Sequence, residues 1–153
     1  MKTAIKRKEI PAIVAALAEV KGIKDFKKAI SLGRDSRVLK GVQEETEAAI
    51  KAATPENYEQ LTTELRDLKT KKAKEFDLKD GELINEQALT AHVLIFWPNA
   101  GQWQAANKTF NERVEAIYNE KIEIELHTEL ADKDLPKCAE DVRVAEALSY
   151  FMK

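Results

Sequence analysis

The chain has 153 residues and a formal net charge of −2, with 44% hydrophobic and 34% charged residues. This composition supports a packed core beneath a charged surface and excludes wholesale disorder. Cys138 is the one cysteine and no apolar run approaches the ~20 residues of a membrane span, so an intrachain disulfide, a cysteine-based metal site and a membrane-spanning segment are excluded.

The charge is distributed unevenly along the chain. Residues 1–40 contain 11 Lys or Arg and 4 Asp or Glu, a net of +7, whereas residues 41–153 have a net of −9. Such a basic segment indicates an anionic partner, a membrane-facing segment or neutralisation within the protein. The first 18 residues resemble a secretory signal peptide, but their apolar stretch is short and Glu9 abuts it. We therefore expect a cytoplasmic protein.

The first third of the chain predicts a strand followed by helices. Residues 2–7 alternate loosely and favour a short strand, and the helical pattern that follows ends at Gly22. A short second helix is predicted to stop at Gly33, because glycine breaks helices. Asp35 or Ser36 is then predicted to cap a third helix.

The middle of the chain predicts a fourth helix with a narrow apolar seam. Thr54 and Pro55 are a typical helix start, with a capping hydroxyl and a proline in the first turn. Asp80 and Gly81 indicate a turn between two short extended pieces, and Asn85 is a candidate cap for the next helix. The seam suits an antiparallel helix, either within the chain or in a dimer. Its residues are Tyr58, Leu61, Leu65 and Leu68.

The last third predicts a helix, a strand and a final helix. A helix is expected from about 102 to 119, and strict alternation makes 122–126 the clearest strand. A last helix is expected over about 137–152. If the acidic strand pairs with residues 2–7, Lys2 and Lys6 share a face with Glu123 and Glu125. Each such opposite-charge pair stabilises by ~0.2–1 kcal/mol.

These elements predict a mainly helical α+β fold in a single domain, residues 1–153. A long helical hairpin forms its body, with residues 36–76 against 86–119. A small two- or three-stranded sheet includes 121–126, with 2–7 as a candidate second strand, and a helix ends the chain. Neither an internal repeat nor a linker long enough to separate domains is found in the sequence.

No pattern in the sequence supports catalysis, a cofactor or a metal. His92 and His127 lie 35 residues apart without another His or Cys at metal-ligand spacing. Cys138 begins a helix pattern, where a cysteine is usually a small, half-buried residue. The five glycines are scattered and form no phosphate-binding loop. We predict a protein that is not an enzyme, with no catalytic, cofactor-binding or metal-binding residues.

Two segments are candidates for binding a partner. The aromatic segment 93–103 fills either a helical corner of the core or an interface hot spot. The basic stretch 21–40 is the best candidate surface for an anionic partner, although no nucleic-acid-binding motif accompanies it. The candidate partner-binding residues are Phe96, Trp97, Trp103, Lys24, Lys27, Lys28, Arg34 and Arg37.

The order of these elements resembles small uncharacterised helical proteins encoded by tailed phages and prophages of Gram-positive bacteria. The similarity is carried by five segments, and the aromatic segment 93–103 departs from the pattern. They are residues 10–17, 26–39, 80–84, 122–126 and 142–151. The resemblance implies no enzyme activity, cofactor or catalytic residue.

The resemblance implies an accessory protein that acts by binding a host protein or itself. Inhibitors of bacterial defence systems are one such class, so we expect an oligomeric anti-defence factor in the cytoplasm of a bacterial host. The alternative is a nucleic-acid-binding accessory protein that uses the basic stretch 21–40.

Overall fold

A computed structural model describes residues 2–75 and 86–152 of the protein. The predicted turn at Asp80 and Gly81 and the cap at Asn85 lie outside the described residues. The chain divides into two compact units, unit 1 (residues 1–51 and 115–153) and unit 2 (52–114). The expectation of a single domain stays a prediction.

The predicted fold class is confirmed, because the described residues are 74% helical and include a small antiparallel sheet. The described residues form two strands, β1 and β2, and six α-helices, α1 to α6. Their bounds are β1 Lys2–Lys6, α1 Ile10–Ala18, α2 Phe26–Ala53, α3 Tyr58–Glu75, α4 Glu86–Phe96, α5 Ala100–Asn119, β2 Lys121–Glu125 and α6 Val142–Ser149.

In unit 1, β1 and β2 pair in an antiparallel ladder as the alternating sequences predicted. Lys2 lies opposite Glu125, as the charge argument required. Lys2 and Lys6 lie on the same face of the ladder as Glu123 and Glu125, so the predicted shared face is confirmed. The residue directly opposite Lys6 is Lys121. Burial of one face of each strand fixes the register. The register in turn determines which residue lies directly opposite each charged side chain.

The core of unit 1 lies between the inner face of the sheet and the helices α1, α2 and α6. Helix α1 packs on α6, and the segment after β2 adds further apolar side chains to the same cluster. The most deeply buried members are Ile5, Ile10, Leu39, Leu126, Leu130, Val144, Leu148 and Phe151.

Helix α2 corrects the prediction that Gly33 ends one helix and that Asp35 or Ser36 caps the next. The helix runs without interruption through these positions, from Phe26 to Ala53. Asp35 is fully buried inside it and therefore cannot be an N-cap. The apolar positions Leu32 and Leu39 on either side of Asp35 are both buried in the core, and this packing outweighs the ~1 kcal/mol that a helical glycine costs.

Unit 2 contains α3, α4 and the first part of α5, and its core uses the predicted seam. Leu61 and Leu65 of α3 pack with Val93, Trp97 and Ala100. The seam therefore packs within the chain, and α3 lies against α4 as the hairpin prediction required.

The starts of two helices differ from the prediction. Thr54 and Pro55 precede α3 as a turn, in which the Tyr58 N–H donates to the Pro55 carbonyl (3.0 Å), so α3 begins at Tyr58. The final helix is split: a 3₁₀ turn, Lys137–Glu140, comes before α6. Asp141 caps α6 by accepting from the Arg143 N–H (2.9 Å), which gives the helix a start of its own. Among the described helices, none is both long and apolar enough to cross a membrane.

Candidate functional site

The first half of α2 presents one solvent-exposed side, which we call the α2 face and define by Phe26, Ile30, Arg34 and Arg37. Their spacing of four, four and three residues places them on the same side of a helix. Phe26 is 76% exposed, Ile30 is 43% exposed, and both arginines are exposed. Two large apolar side chains therefore stand in solvent on a helix that also carries guanidinium groups.

Asp25 fixes the start of α2. Its carboxylate accepts hydrogen bonds from the backbone N–H groups of Lys27 (2.9 Å) and Lys28 (3.2 Å), and its carbonyl oxygen accepts from the N–H of Ala29 (2.9 Å). This is a helix cap, which satisfies N–H groups that have no partner within the helix. The cap sets Phe26 in the first turn.

The opposite side of α2 is held by a buried carboxylate. Asp35 accepts hydrogen bonds from the backbone N–H of His127 (3.1 and 3.0 Å, one to each oxygen) and of Thr128 (2.8 Å). Three charge-assisted bonds compensate the loss of water around this fully buried carboxylate. Asp35 thus fastens α2 to the segment after β2 and leaves the α2 face outward.

A second aspartate ties the same two parts of the chain together. Lys28 of α2 forms an ion pair with the carboxylate of Asp134, which also accepts from the backbone N–H of Ala131 (2.9 Å). The lysine ammonium and then the Ala131 N–H hold the pKa of Asp134 below its usual range. Lys28 is therefore engaged within unit 1, and its part in partner binding stays a prediction.

The other four predicted basic residues are exposed on unit 1. Lys24 precedes α2, whereas Lys27, Arg34 and Arg37 lie on it, and all four side chains are in solvent. The structure therefore distributes these cations along the first half of α2 and the residue before its cap. Because the charges are carried on long side chains at a helix surface, their field extends into solvent, where it attracts anionic groups.

The three aromatic candidates lie in unit 2 and differ in exposure. Trp97 is only 4% exposed, belongs to the core, and donates its indole N–H to Glu64 (2.8 Å). Trp103 is half-buried and its indole N–H approaches the Thr62 hydroxyl at 3.3 Å. Phe96 is 45% exposed. The buried Trp97 therefore has a core role, whereas partner contact by the exposed Phe96 and the half-buried Trp103 stays a prediction.

The two histidines and the cysteine are divided between the two units. His92 lies in unit 2 and His127 in unit 1. The Cys138 thiol is half-buried and lies 3.5 Å from the Lys21 carbonyl oxygen. Across residues 2–75 and 86–152, no group of three or more His, Cys, Asp or Glu side chains is placed to hold a metal ion.

The burial of Asp35 was not predicted from the sequence, although the spacing of its neighbours indicates it. Leu32, Asp35 and Leu39 are spaced by three and four residues, which is the spacing of one helix face. An aspartate at a core-facing position of that pattern predicts a buried carboxylate that needs donors from another segment. The interpretation of Gly33 as a helix end hid this pattern, because it assigned Leu32 and Asp35 to different elements.

Comparison with known proteins gives no relative for this chain. No protein-family model, curated protein or solved structure matches it.

Proposed function

We propose that this protein is a binding protein without enzymatic activity and that its α2 face binds an acidic segment of a protein partner. The observation that carries the proposal is Phe26, which is 76% exposed although it is capped firmly into a regular helix. Next to it, Ile30 is 43% exposed. Large apolar side chains that stand together in solvent are typical of interaction surfaces.

The residue types on the α2 face suit a protein partner. Aromatic and arginine side chains are enriched among the residues that dominate binding energy. Burying the exposed part of Phe26 and Ile30 supplies apolar free energy of ~25 cal/mol per Å². Arg34 and Arg37 add donors that bind carboxylates in a bidentate manner. An amphipathic segment with apolar and acidic residues matches both features.

The charge around the α2 face determines which sign of charge it favours in a partner. Lys24, Lys27, Arg34 and Arg37 are exposed. The acidic residues nearest in sequence are Asp25, which caps the helix, and Asp35, which is buried on the other side. The exposed field is therefore positive, which favours an acidic partner and raises its association rate.

The broader setting of the proposal follows from the resemblance to phage and prophage proteins. We infer an accessory protein that acts in the cytoplasm of a bacterial host, where the partner is a host protein, such as a component of a defence system, or a second copy of this chain. The α2 face serves either partner by the same chemistry. Light scattering of the purified protein separates the two cases, because self-association raises the mass and host-protein binding does not.

The proposal is tested by removing the apolar centre of the α2 face without disturbing the fold. The double variant Phe26→Ser/Ile30→Ser replaces exposed side chains, so its stability should stay close to wild type. Val142→Ser is the matched control, because Val142 is 69% exposed on α6. Each tagged protein is used to capture partners from bacterial lysate, and the captured protein is then purified and its affinity measured directly.

The supporting result is a directly binding protein that Phe26→Ser/Ile30→Ser weakens by about tenfold or more, or ~1.4 kcal/mol, while Val142→Ser leaves its affinity unchanged. The charge variant Arg34→Glu/Arg37→Glu should weaken the same complex, and added salt should lower its association rate. Equal affinity of the wild type and both α2-face variants would overturn the proposal.

A second candidate, nucleic-acid binding, is favoured by one specific observation, the four exposed cations on and beside a single helix. A band-shift experiment with DNA and RNA at low salt tests it. Binding that collapses as salt rises, weakens in Arg34→Glu/Arg37→Glu and is indifferent to Phe26→Ser/Ile30→Ser would replace the protein-binding proposal. Absence of any shift with DNA or RNA removes this candidate.

A further inference from the structure

A cleft of about 530 Å³ opens beside the α2 face in unit 1. One wall is the first two turns of α2, and the other is the segment of residues 127–133 that follows β2. The volume falls within the ~300–1,000 Å³ range of small-molecule sites. The cleft is therefore large enough for a ligand of the size of a nucleotide.

The two walls are fastened together, so the cleft is preformed. The backbone N–H groups of His127 and Thr128 bind Asp35 of α2. The Thr128 hydroxyl donates to the Ser31 hydroxyl (3.0 Å), and Lys28 is paired with Asp134. A site whose walls are already ordered loses little conformational entropy when a ligand enters.

The lining of the cleft carries more positive than negative charge. Lys27 and Lys133 line it, and within residues 2–75 and 86–152 neither ammonium group forms an ion pair closer than 4.0 Å. Lys28 also lines it and is neutralised by Asp134. Glu129 is the acidic residue in the lining. Lys27 and Lys133 therefore line the same cleft from opposite walls, together with one acidic residue.

Ser31 and His127 add hydrogen-bonding groups to the lining. The Ser31 oxygen accepts from Thr128, which leaves its own proton to donate. A hydroxyl proton, two ammonium groups and an imidazole are the donors that bind a phosphate group. An apolar ligand gains nothing from these groups, and a cation is repelled by them.

We propose that this cleft binds the phosphate group of a small molecule, with Lys27 and Lys133 contacting the phosphate from opposite walls. The site goes beyond the proposed function, because it uses the side of α2 that carries Lys27 and Ser31 and does not need Phe26 or Ile30. The remaining volume holds the organic part of a phosphate monoester.

The test is a titration of the full chain labelled with ¹⁵N, followed by amide chemical shifts at constant ionic strength. The probes are inorganic phosphate, adenosine 5′-monophosphate, and adenosine as the ligand without phosphate. We expect saturable shifts centred on Ser31, His127 and Lys133 with both phosphate probes and none with adenosine. Shifts that never saturate, or that spread over every lysine, would overturn the proposal.

Paired charge variants make the test specific. Lys27→Gln/Lys133→Gln should weaken phosphate binding by about tenfold or more, since hydrogen bonds to charged groups contribute ~1.5–3 kcal/mol each. Lys8→Gln/Lys51→Gln removes two exposed charges of unit 1 outside the cleft and should leave the affinity unchanged. If both double variants weaken phosphate binding equally, the binding depends on the overall charge of the protein, and the assignment of the cleft is overturned. If Lys27→Gln/Lys133→Gln fails to fold, the single variant Lys133→Gln is used instead. It should weaken phosphate binding, and affinity equal to that of the Lys8→Gln/Lys51→Gln control would overturn the proposal.

The outcome is separable from that of the proposed function. Phe26→Ser/Ile30→Ser should bind inorganic phosphate as the wild type does, because neither residue lines the cleft. Loss of partner binding with phosphate binding intact supports two distinct surfaces, whereas loss of phosphate binding in this variant would overturn the cleft assignment.

Discussion

Replacing Asp35 should be among the most damaging polar substitutions in unit 1. The carboxylate is fully buried and accepts from the N–H groups of His127 and Thr128 at 2.8–3.1 Å. In Asp35→Ala both donors lose their acceptor. The unsatisfied N–H of the buried Thr128 costs ~1–3 kcal/mol, and that of His127, whose hydrogen bond is part-buried, costs less. We therefore expect the free energy of unfolding to fall by about 2–5 kcal/mol. In Asp35→Asn one amide oxygen remains, and the loss should be about half as large.

Equilibrium urea unfolding followed by circular dichroism measures this loss, and hydrogen exchange of the His127 and Thr128 amides locates it. The matched control is Glu44→Gln, an exposed acidic residue on the same helix, which should change stability by less than ~0.5 kcal/mol. If Asp35→Ala unfolds within about 0.5 kcal/mol of the wild type, or if the two amides exchange no faster, the assignment of Asp35 as the tie between α2 and this segment is refuted.

Four further substitutions test the packing and charge of single residues. Gly33→Ala should stabilise the protein by ~0.5–1 kcal/mol, because no neighbouring atom lies within 4 Å of the added methyl group. Gly22→Ala should destabilise the protein instead, because Gly22 has φ of 85°. The urea midpoint of unfolding measures both effects, and midpoints that shift in the same direction in the two variants would contradict these predictions. Lys28→Gln should raise the pKa of Asp134 toward its ordinary 3.8. Because the pKa of Asp134 is lowered in the folded protein, the ion pair contributes its full stabilisation above pH 3.8. This stabilisation is lost as the pH falls through the lower pKa of the folded protein. If the carboxyl group of Asp134 titrates by NMR in Lys28→Gln as it does in the wild type, the prediction is refuted. Trp97→Ala should lower the free energy of unfolding by ~3–5 kcal/mol, and a wild-type thermal midpoint would contradict its place in the core.

The parts of the fold that sequence predicted well are those in which one pattern dominates. Alternation in residues 122–126 predicted β2, and the four-residue spacing of Leu61 and Leu65 predicted a helix with an apolar seam, which the structure packs within the chain. Periodicity reports which side of an element is buried, and burial is what fixes these elements. The register of β1 on β2 was less predictable, since it placed Lys6 opposite Lys121.

The missed features all depend on contacts between distant segments. Gly33 has the local preference of a helix end, but burial of Leu32 and Leu39 overrides it. Asp35 has the local preference of a cap, and only the N–H groups of His127 and Thr128 show why it is buried. The sequence predicts the basic residues of the candidate site. It does not predict which of them pair with an acidic residue elsewhere in the chain, as Lys28 pairs with Asp134.

The central claim, that the α2 face is the binding surface, is tested most directly by photo-crosslinking from one position. A photoreactive amino acid replaces Ile30 in one protein and Val142 in another, because both positions are solvent-exposed in unit 1. Each protein is irradiated with the purified partner at equal concentration. We predict a covalent complex from position 30 whose yield falls as salt is added, and none from position 142. Crosslinking from position 142 alone, or equally from both positions, would contradict the claim.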